Sequence, residues 1–375
     1  MTSIGGASTG MVDWNLAVAT ATRLVRPGPE VSRDEARAVV AELRRHAKAS
    51  EEHVRGFTRL GTEEGHDTPV LVVDRPGWIR ANVAGFREIL RPLLDKMQER
   101  RGNTPGGSVM SAVGGKVTGV ELGMLLSFLA SRVLGQYETF APATREFPSG
   151  ANGGGRLLLV APNIVHVERE LDVDPHDFRL WVCLHEETHR TQFTAVPWLR
   201  DHLEGEIQAF LQETDVDPMT VLERVREAAQ TLAGGRPEAE EDDGGRSLVE
   251  IVQTPAQREI LGRLTAVMSL LEGHADFVMD GVGPDVVPTV GEIREKFQQR
   301  RAKGASRLDL ALRKLLGLDA KLRQYRDGER FVRAVVDEAG MDGFNRVWTS
   351  PNTLPTKAEI AKPADWVARV HRRAE

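Results

Sequence analysis

The sequence predicts a mainly helical α+β fold with a small β-sheet. Apolar residues recur at helical spacing through most of the chain, whereas Val70–Val73 and Leu157–Val160 are short apolar runs of strand length. No internal repeat of solenoid period is visible. A chain of 375 residues, 41% of them hydrophobic, is long enough to bury a substantial core. We therefore expect a disordered leader at 1–10 and a single domain over 11–375, divided into a helical N-terminal part at 11–150 and a second part at 151–375.

Start signals mark the helices of the N-terminal part. Ser32 stands where an N-cap is expected, and Glu35, three residues later, completes a capping-box pattern. The run Val70–Val73 is followed by a Pro-Gly pair, after which helical spacing resumes. Residues 102–107 are rich in glycine and predict a loop. The apolar stretch beyond this loop predicts a long buried helix that ends near Tyr137.

The second part begins with a polar glycine loop and the run Leu157–Val160, which predicts a strand. Asp174 followed by Pro175 is a strong helix start, because aspartate suits an N-cap and proline suits the first helical position. We expect that helix to end near Pro197. Residues 233–247 are polar and acidic with few hydrophobics, and they predict a mobile surface insert. Further helices are expected at about 200–214, 217–233 and Thr254–Asp280.

Composition narrows the classes of partner and location. The net charge of −6 is modest and no basic stripe with aromatic residues occurs, so we expect no nucleic-acid partner. The single cysteine, Cys183, excludes an intramolecular disulfide and lies in an apolar run, which predicts a packing role. The N-terminus lacks signal-peptide features, and the apolar stretch Gly119–Gly135 carries Glu121 and Arg132. We therefore expect a cytoplasmic protein without a membrane partner, and the oligomeric state is not predicted.

The most informative stretch is WVCLHEETHRTQF, Trp181–Phe193. His185 and His189 are four residues apart, so on a helix both imidazoles lie on one face and can reach the same ion. Zn²⁺ accepts imidazole nitrogen, and catalytic zinc sites typically combine three protein ligands with one open position. Glu186 is placed to accept a proton from an attacking water and to pass it to a leaving group. The apolar neighbours indicate that these polar groups are buried or line a cleft, where they need partners.

A third ligand is required, and two places in the sequence offer a carboxylate. Glu204 and Glu206 follow closely behind the motif but stand among polar neighbours, as on a solvated helix face. Glu272 follows an apolar run, and Asp276 lies one helical turn later on the same face, where it can fix the tautomer of a ligand histidine. We therefore choose Glu272 as the third zinc ligand and Asp276 as the carboxylate that supports the ligands. His274 lies off that face and is expected to be structural.

Six segments resemble a known family, and they are VDWNLAVATATRLV, SRVLGQYE, LLLVAPNI, HEETHRTQF, LLEGHADFVMD and LRQYRDGERFV. The segments resemble an actinobacterial family, the zincin-like metallopeptidases of type 2, whose motifs are similar to those of gluzincins. Some members of this family are linked to biosynthesis of a deazaflavin coenzyme. The resemblance implies a zincin-like core with a small sheet, the motif helix and a second helix that supplies a glutamate. The roles that it implies are zinc ligands at His185, His189 and Glu272, a general base at Glu186 and a supporting carboxylate at Asp276. In familiar gluzincins the third glutamate follows the motif much sooner.

The leading functional expectation is a zinc-dependent metallopeptidase. In zincins a sheet edge lines the cleft and pairs with an extended substrate, and Leu157–Val160 is the candidate for that edge. The candidate donors to the oxyanion are Tyr137, Tyr325, Arg323 and His166. Two alternatives stay open: a catalytically silent zincin-fold binding or accessory protein in cofactor metabolism, and a zinc hydrolase that acts on a small amide. An open groove beside the strand would favour a peptide, and a narrow closed pocket would favour a small amide.

Overall fold

The computed structural model of the protein describes residues 12–61, 67–101, 107–140, 142–150, 155–213, 254–303 and 318–371. Several predicted features lie outside these residues. They are the leader at 1–10, most of the loop at 102–107, the helix at 217–233 and the acidic insert at 233–247. The division of a single domain into parts at 11–150 and 151–375 stays a prediction.

Helices dominate the described residues, and a small sheet accompanies them, so the predicted fold class is confirmed. The helices are α1 (Trp14–Leu24), α2 (Arg33–Thr58), α3 (Arg75–Arg101), α4 (Gly107–Ala130), α5 (Ala161–Leu171), α6 (Pro175–Ala195), α7 (Pro197–Gln212), α8 (Pro255–Gly281), α9 (Val290–Lys303), α10 (Leu318–Phe344), α11 (Lys357–Ala361) and α12 (Pro363–His371). Short 3-10 turns lie at Asn345–Trp348 and Pro351–Thr353. The strands are β1 (Val70–Val73), β2 (Gly135–Glu138) and β3 (Arg156–Val160).

The described strands form one sheet in the order β1–β3–β2. β1 runs parallel to β3, with Val70 beside Leu157, and β2 runs antiparallel to β3, with Tyr137 beside Leu157. All five residues of β3 are buried, as expected of a strand covered on both faces. The prediction that Leu157–Val160 forms the sheet edge is therefore wrong, because β3 is the central strand and β2 lies at the edge.

Alternate side chains of β3 enter two different cores. Leu159 packs into the core that α2 and α6 build on one face of the sheet, and Cys183 lies in the same core. The thiol is fully buried, so the predicted packing role of Cys183 is confirmed, and burial raises the pKa of that thiol. Leu158 and Val160 pack into the core on the opposite face, against α1, α3 and α4. The sheet thus separates the motif helix α6 from α1, α3 and α4, which pack on its opposite face.

A third core joins α7, α8 and α10 to the C-terminal helices. Within it α8 and α10 approach very closely where Gly273 meets Gly328. A Cβ atom at Gly328 would lie 1.9 Å from the carbonyl oxygen of Ser269, and one at Gly273 would lie 2.1 Å from the carbonyl carbon of Gly328. Only glycine allows this crossing, which fixes the stretch of α8 next to Glu272.

The predicted N-caps of two helices, Ser32 and Asp174, are confirmed. Ser32 Oγ accepts from the Glu35 backbone N–H at 3.1 Å, and Asp174 Oδ1 accepts from the Asp177 backbone N–H at 3.0 Å. Thr254 forms a full capping box at the start of α8. The prediction of a helix ending near Tyr137 is wrong, because α4 ends at Ala130 and the chain returns as strand β2.

None of the described helices combines the length and the apolar character that a membrane crossing requires.

Candidate metal centre

The motif helix α6 presents His185 and His189 on one face. Their Nε2 atoms lie 3.2 Å apart, and the two rings meet edge to face with centroids 4.8 Å apart. Both side chains are only partly exposed, at 20% for His185 and 14% for His189. The spacing of four residues on a helix accounts for this approach, as the sequence predicts.

Helix α8 brings Glu272 to the same point. Its Oε2 atom lies 3.7 Å from His185 Nε2 and 3.9 Å from His189 Nε2. Tetrahedral zinc, with bonds of about 2.0–2.1 Å to nitrogen and oxygen, places its ligand atoms about 3.3–3.4 Å apart. The three atoms therefore surround a space of the size that one zinc ion needs, and among the described residues they form one of two such groups of donors.

An amide side chain orients one of these histidines. Gln192 Nε2 donates to the carbonyl oxygen of Leu271 at 2.9 Å, and a carbonyl can only accept, so the NH₂ group must face α8. The Gln192 Oε1 atom then faces His189 Nδ1 at 3.0 Å and accepts its proton. With the proton held on Nδ1, the lone pair of His189 Nε2 points toward the metal position.

The same amide also contacts His274. Gln192 Nε2 lies 3.0 Å from His274 Nδ1, so the second amide proton is donated to that nitrogen. His274 is fully buried, and burial, with a smaller effect of His189, lowers the pKa of its imidazole from 6.5 to about 3. The neutral ring packs against Phe344 and Trp348, with centroids 5.2 Å and 5.5 Å away. This placement agrees with a structural role for His274.

Asp276 lies one turn beyond Glu272 on α8. Its Oδ1 atom is 3.6 Å from His185 Nδ1, on the side of the ring away from the other ligands. The structure thus places Asp276 next to a ligand histidine, at the position that the sequence predicts for a supporting carboxylate.

The side chain of Glu186, on α6, is buried against Gly135, the first residue of strand β2. A Cβ atom at Gly135 would lie 2.5 Å from Glu186 Cγ and 2.8 Å from Glu186 Oε1, so only glycine leaves room for the carboxylate. Burial raises the pKa of the Glu186 carboxyl well above its usual range, and the Glu272 carboxylate raises it further. Gly135 therefore determines where Glu186 can lie.

Buried ion pairs hold α6 against α2 and the loop before β1. Arg190 Nη2 lies 2.8 Å from Glu187 Oε2 and 3.1 Å from Glu51 Oε2, and Arg190 Nη1 donates to the Thr68 carbonyl oxygen at 3.0 Å. Burial raises the pKa of the Glu187 carboxyl to about 7, although Arg190 opposes the shift. Because a buried charge without its partner is strongly destabilising, this network fixes the rotation of α6 and the direction of its ligands.

The alternative ligands Glu204 and Glu206 belong to α7 and contact other groups. Glu206 binds Arg263, with Oε2 at 2.8 Å from Nη2, and Glu204 accepts from Gln208 Nε2 at 3.1 Å. The group of donors that includes both motif histidines contains Glu272 and neither of these glutamates.

The structure describes the side chains of two of the four candidate oxyanion donors, Tyr137 and His166. Tyr137 lies on β2, where its hydroxyl accepts from the Gly155 backbone N–H at 3.1 Å and its ring stacks on Phe193. His166 is exposed on α5, with Nε2 at 3.8 Å from Glu170 Oε2, and its role as a donor stays a prediction. Arg323 and Tyr325 fall within α10, but their side chains lie outside the described residues.

Sequence reasoning missed Gln192 and Gly135. Gln192 is three residues after His189, a spacing that places both on one helix face, so a search for polar neighbours of each ligand would have found it. Gly135 stands at the start of a strand that the sequence does not reveal, and its contact with Glu186 depends on the sheet.

Comparisons with known proteins identify the family of the chain. A search among curated proteins gave no match. Among solved structures the chain is similar to one described as that of "a putative hydrolase with a novel fold from Chloroflexus aurantiacus", at 30% sequence identity and a TM-score of 0.67. That similarity covers 96% of this chain and 99% of the other. The model of the zincin-like metallopeptidase family matches residues 12–367, and the chain belongs to this family.

Proposed function

We propose that the protein is a zinc-dependent metallopeptidase whose metal ligands are His185, His189 and Glu272. One observation carries the proposal: a donor atom of each ligand lies 3.2–3.9 Å from the donor atoms of the other two. The family implies a metal, typically zinc. Two imidazoles and one carboxylate are a donor set that catalytic zinc accepts, with a fourth position left open, so the residues fit the ion.

When bound, zinc supplies a Lewis acid that polarises a carbonyl and makes water nucleophilic at neutral pH. Glu186 supplies the proton transfers. Its carboxylate accepts the proton of the attacking water and delivers it to the nitrogen of the leaving amine. Gln192 keeps the proton of His189 on Nδ1, and Asp276 lies beside His185 Nδ1, so both ligand rings hold their orientation during these transfers.

The position of β2 favours a peptide substrate. Gly135, on the same strand face as Tyr137, contacts Glu186, so this strand runs directly beside the catalytic carboxylate. Within the described part of the chain, β2 pairs with β3 on one side and with no strand on its other side. An extended peptide that paired with this edge would place its backbone carbonyls next to Glu186.

A second candidate substrate is a small amide, which fits the predicted link to cofactor metabolism. The ligand side chains are only 14–24% exposed, so the metal position is recessed. A recessed position suits a small substrate as well as one carbonyl of a peptide.

Two substitutions and one control test the proposal. Glu186→Gln should keep zinc and lower hydrolysis by about 10²-fold or more, because the general base is lost. Glu272→Ala should weaken zinc binding strongly, because one of three ligands is lost. Glu204→Ala is the matched control and should keep both zinc affinity and activity, since Glu204 contacts Gln208 on α7.

Zinc binding would be measured by calorimetry, and hydrolysis by mass spectrometry on a peptide library and a panel of small amides. Cleavage confined to the small amides would select the second candidate. A full zinc affinity in Glu272→Ala would reject the ligand set. Zinc binding without hydrolysis of either panel would support the catalytically silent alternative, against which the intact Glu186 beside Gly135 argues.

A further inference from the structure

A second group of metal-binding side chains lies between α2 and the start of α6. Glu42 and His46 are four residues apart on α2, and His176 lies in the first turn of α6. Glu42 Oε1 is 3.0 Å from His176 Nδ1 and 3.4 Å from His46 Nε2. One donor atom from each residue lies within 4.8 Å of the other two. These distances are close to the ligand separations of about 3.3–3.4 Å around tetrahedral zinc.

His46 points a buried nitrogen into this group. Its side chain is only 8% exposed, and its Nε2 atom has only the long contact of 3.4 Å with Glu42 Oε1 as a polar partner within the described residues. A buried nitrogen of this kind costs free energy unless a partner compensates for the lost water. The His46 and His176 rings meet edge to face with centroids 4.6 Å apart, so both nitrogens border the same space beside Glu42 Oε1.

The side chains next to Glu42 carry a net negative charge, which favours a cation, although the charge of Arg45 acts on His46 in the opposite sense. Arg179 binds the other carboxylate oxygen of Glu42, but it also binds Glu168 through two nitrogens, which leaves one net negative charge among these three side chains. The N-terminus of α6 carries a positive partial charge, which disfavours a cation. Asp174 and Asp177, in the same turn, offset that partial charge.

We propose that Glu42, His46 and His176 form a second divalent-metal site, distinct from the site at His185. Imidazole nitrogens with one carboxylate suit zinc and the neighbouring ions nickel and copper better than magnesium or calcium. The exposed His176, with 64% of its side chain accessible, lies on the solvent side, where a water completes the coordination. Because two ligands belong to α2 and one to α6, the ion would clamp these helices together.

His176 and His166 offer a matched pair of variants. Both histidines are exposed on helices and both lie near a glutamate, but His166 faces Glu170 on α5 and has no second histidine beside it among the described residues. His176→Ala should fold, because its side chain is 64% exposed and alanine suits a helix. His166→Ala controls for the loss of a surface histidine.

The test is calorimetric titration of zinc into the full-length chain, without a polyhistidine tag and stripped with a chelator. Wild type and His166→Ala should bind two ions, whereas His176→Ala and Glu272→Ala should each bind one and the double variant none. Outer-shell changes alone alter metal affinity by about 10–100-fold, so loss of the ligand His176 should weaken the second site by at least that factor. Two ions bound to His176→Ala, or a single ion bound to wild type that His176→Ala retains, would overturn the proposal.

The same titration separates this proposal from the proposed function. If Glu272→Ala binds as many ions as wild type while His176→Ala binds one fewer, the site at His185 fails and the second site stands. If Glu272→Ala binds none and wild type binds one, the second site fails and the site at His185 stands.

Discussion

At the residue scale, the Gln192 amide joins His189, one of the proposed zinc ligands, to helix α8. Its Oε1 atom accepts from His189 Nδ1, and its Nε2 atom donates to both the Leu271 carbonyl and His274 Nδ1. Both protons of the amide nitrogen are therefore used. An amide reversed by 180° would place its oxygen against the Leu271 carbonyl oxygen, and both of these atoms can only accept. The orientation of Gln192 therefore determines which nitrogen of His189 is available to a metal.

We predict that Gln192→Leu weakens zinc binding by about 10–100-fold, because His189 loses the partner that fixes its tautomer. Calorimetry would measure the affinity, with circular dichroism as a check of folding. Gln208→Leu is the control, since Gln208 makes a similar hydrogen bond to Glu204 on α7. An affinity equal to that of wild type in Gln192→Leu would show that the amide does not orient the ligand.

At the element scale, the crossing of α8 and α10 determines where Glu272 lies. Gly328 packs against the Ser269 carbonyl of α8, one turn before Glu272, and neither backbone can move without shifting its helix. Helices packed this closely transmit a change in side-chain volume as a displacement of the whole element.

We predict that Gly328→Ala lowers the free energy of unfolding by about 1–3 kcal/mol, the usual cost of overpacking, and also weakens zinc binding. Urea denaturation and zinc titration would measure the two effects. Gly262→Ala, on the same helix α8, is the control because no atom lies within 4 Å of its added Cβ. That variant should be as stable as wild type or up to about 1 kcal/mol more stable. If Gly328→Ala bound zinc as tightly as wild type, the helix crossing would not determine where Glu272 lies.

Helices were predictable where local chemistry marks them. The cap at Asp174 located α6 and the apolar spacing of Thr254–Asp280 located α8, both with small errors. The pair Glu272 and Asp276, four residues apart on an apolar helix, pointed to a carboxylate that the structure places 3.7–3.9 Å from both motif histidines, despite the long interval in sequence. Strand β2 was not predictable, because GQYE has no apolar run and its strand form depends on pairing with β3. The sheet order, and hence the true edge strand, follows from contacts distant in sequence.

At the scale of the whole molecule, Asp280 links stability to pH. It lies at the end of α8 with its side chain 10% exposed and 2.7 Å from Arg294 Nη1 on α9. Burial raises the pKa of this carboxyl from 3.8 to about 6, although Arg294 opposes the shift. Between these values the folded chain keeps a proton that the unfolded chain releases, so this carboxyl lowers stability as pH rises from about 4 to 6.

We predict that Asp280→Asn lacks this loss. The free energy of unfolding of Asp280→Asn minus that of wild type should increase by up to about 3 kcal/mol between pH 4 and pH 7, at about 1.4 kcal/mol per pKa unit. Urea denaturation at several pH values measures the difference, in which contributions common to both proteins cancel. Asp342→Asn is the control, because Asp342 pairs with Arg59 at the surface with 74% of its side chain exposed. If the difference in free energy of unfolding between Asp280→Asn and wild type stayed constant from pH 4 to pH 7, Asp280 would not be the group that links stability to pH.

The contact between Gly135 and Glu186 predicts which other members of the family can be active enzymes. A relative that retains His-Glu-x-x-His but carries a larger residue at the position of Gly135 would have no room for the carboxylate in its present place. We expect such a chain to bind zinc without hydrolysing anything. Introducing alanine at residue 135 in this protein mimics that relative, with Gly205→Ala, whose added Cβ meets no atom within 4 Å, as its counterpart. One position outside the motif would then distinguish enzymes from inactive metal binders by sequence alone.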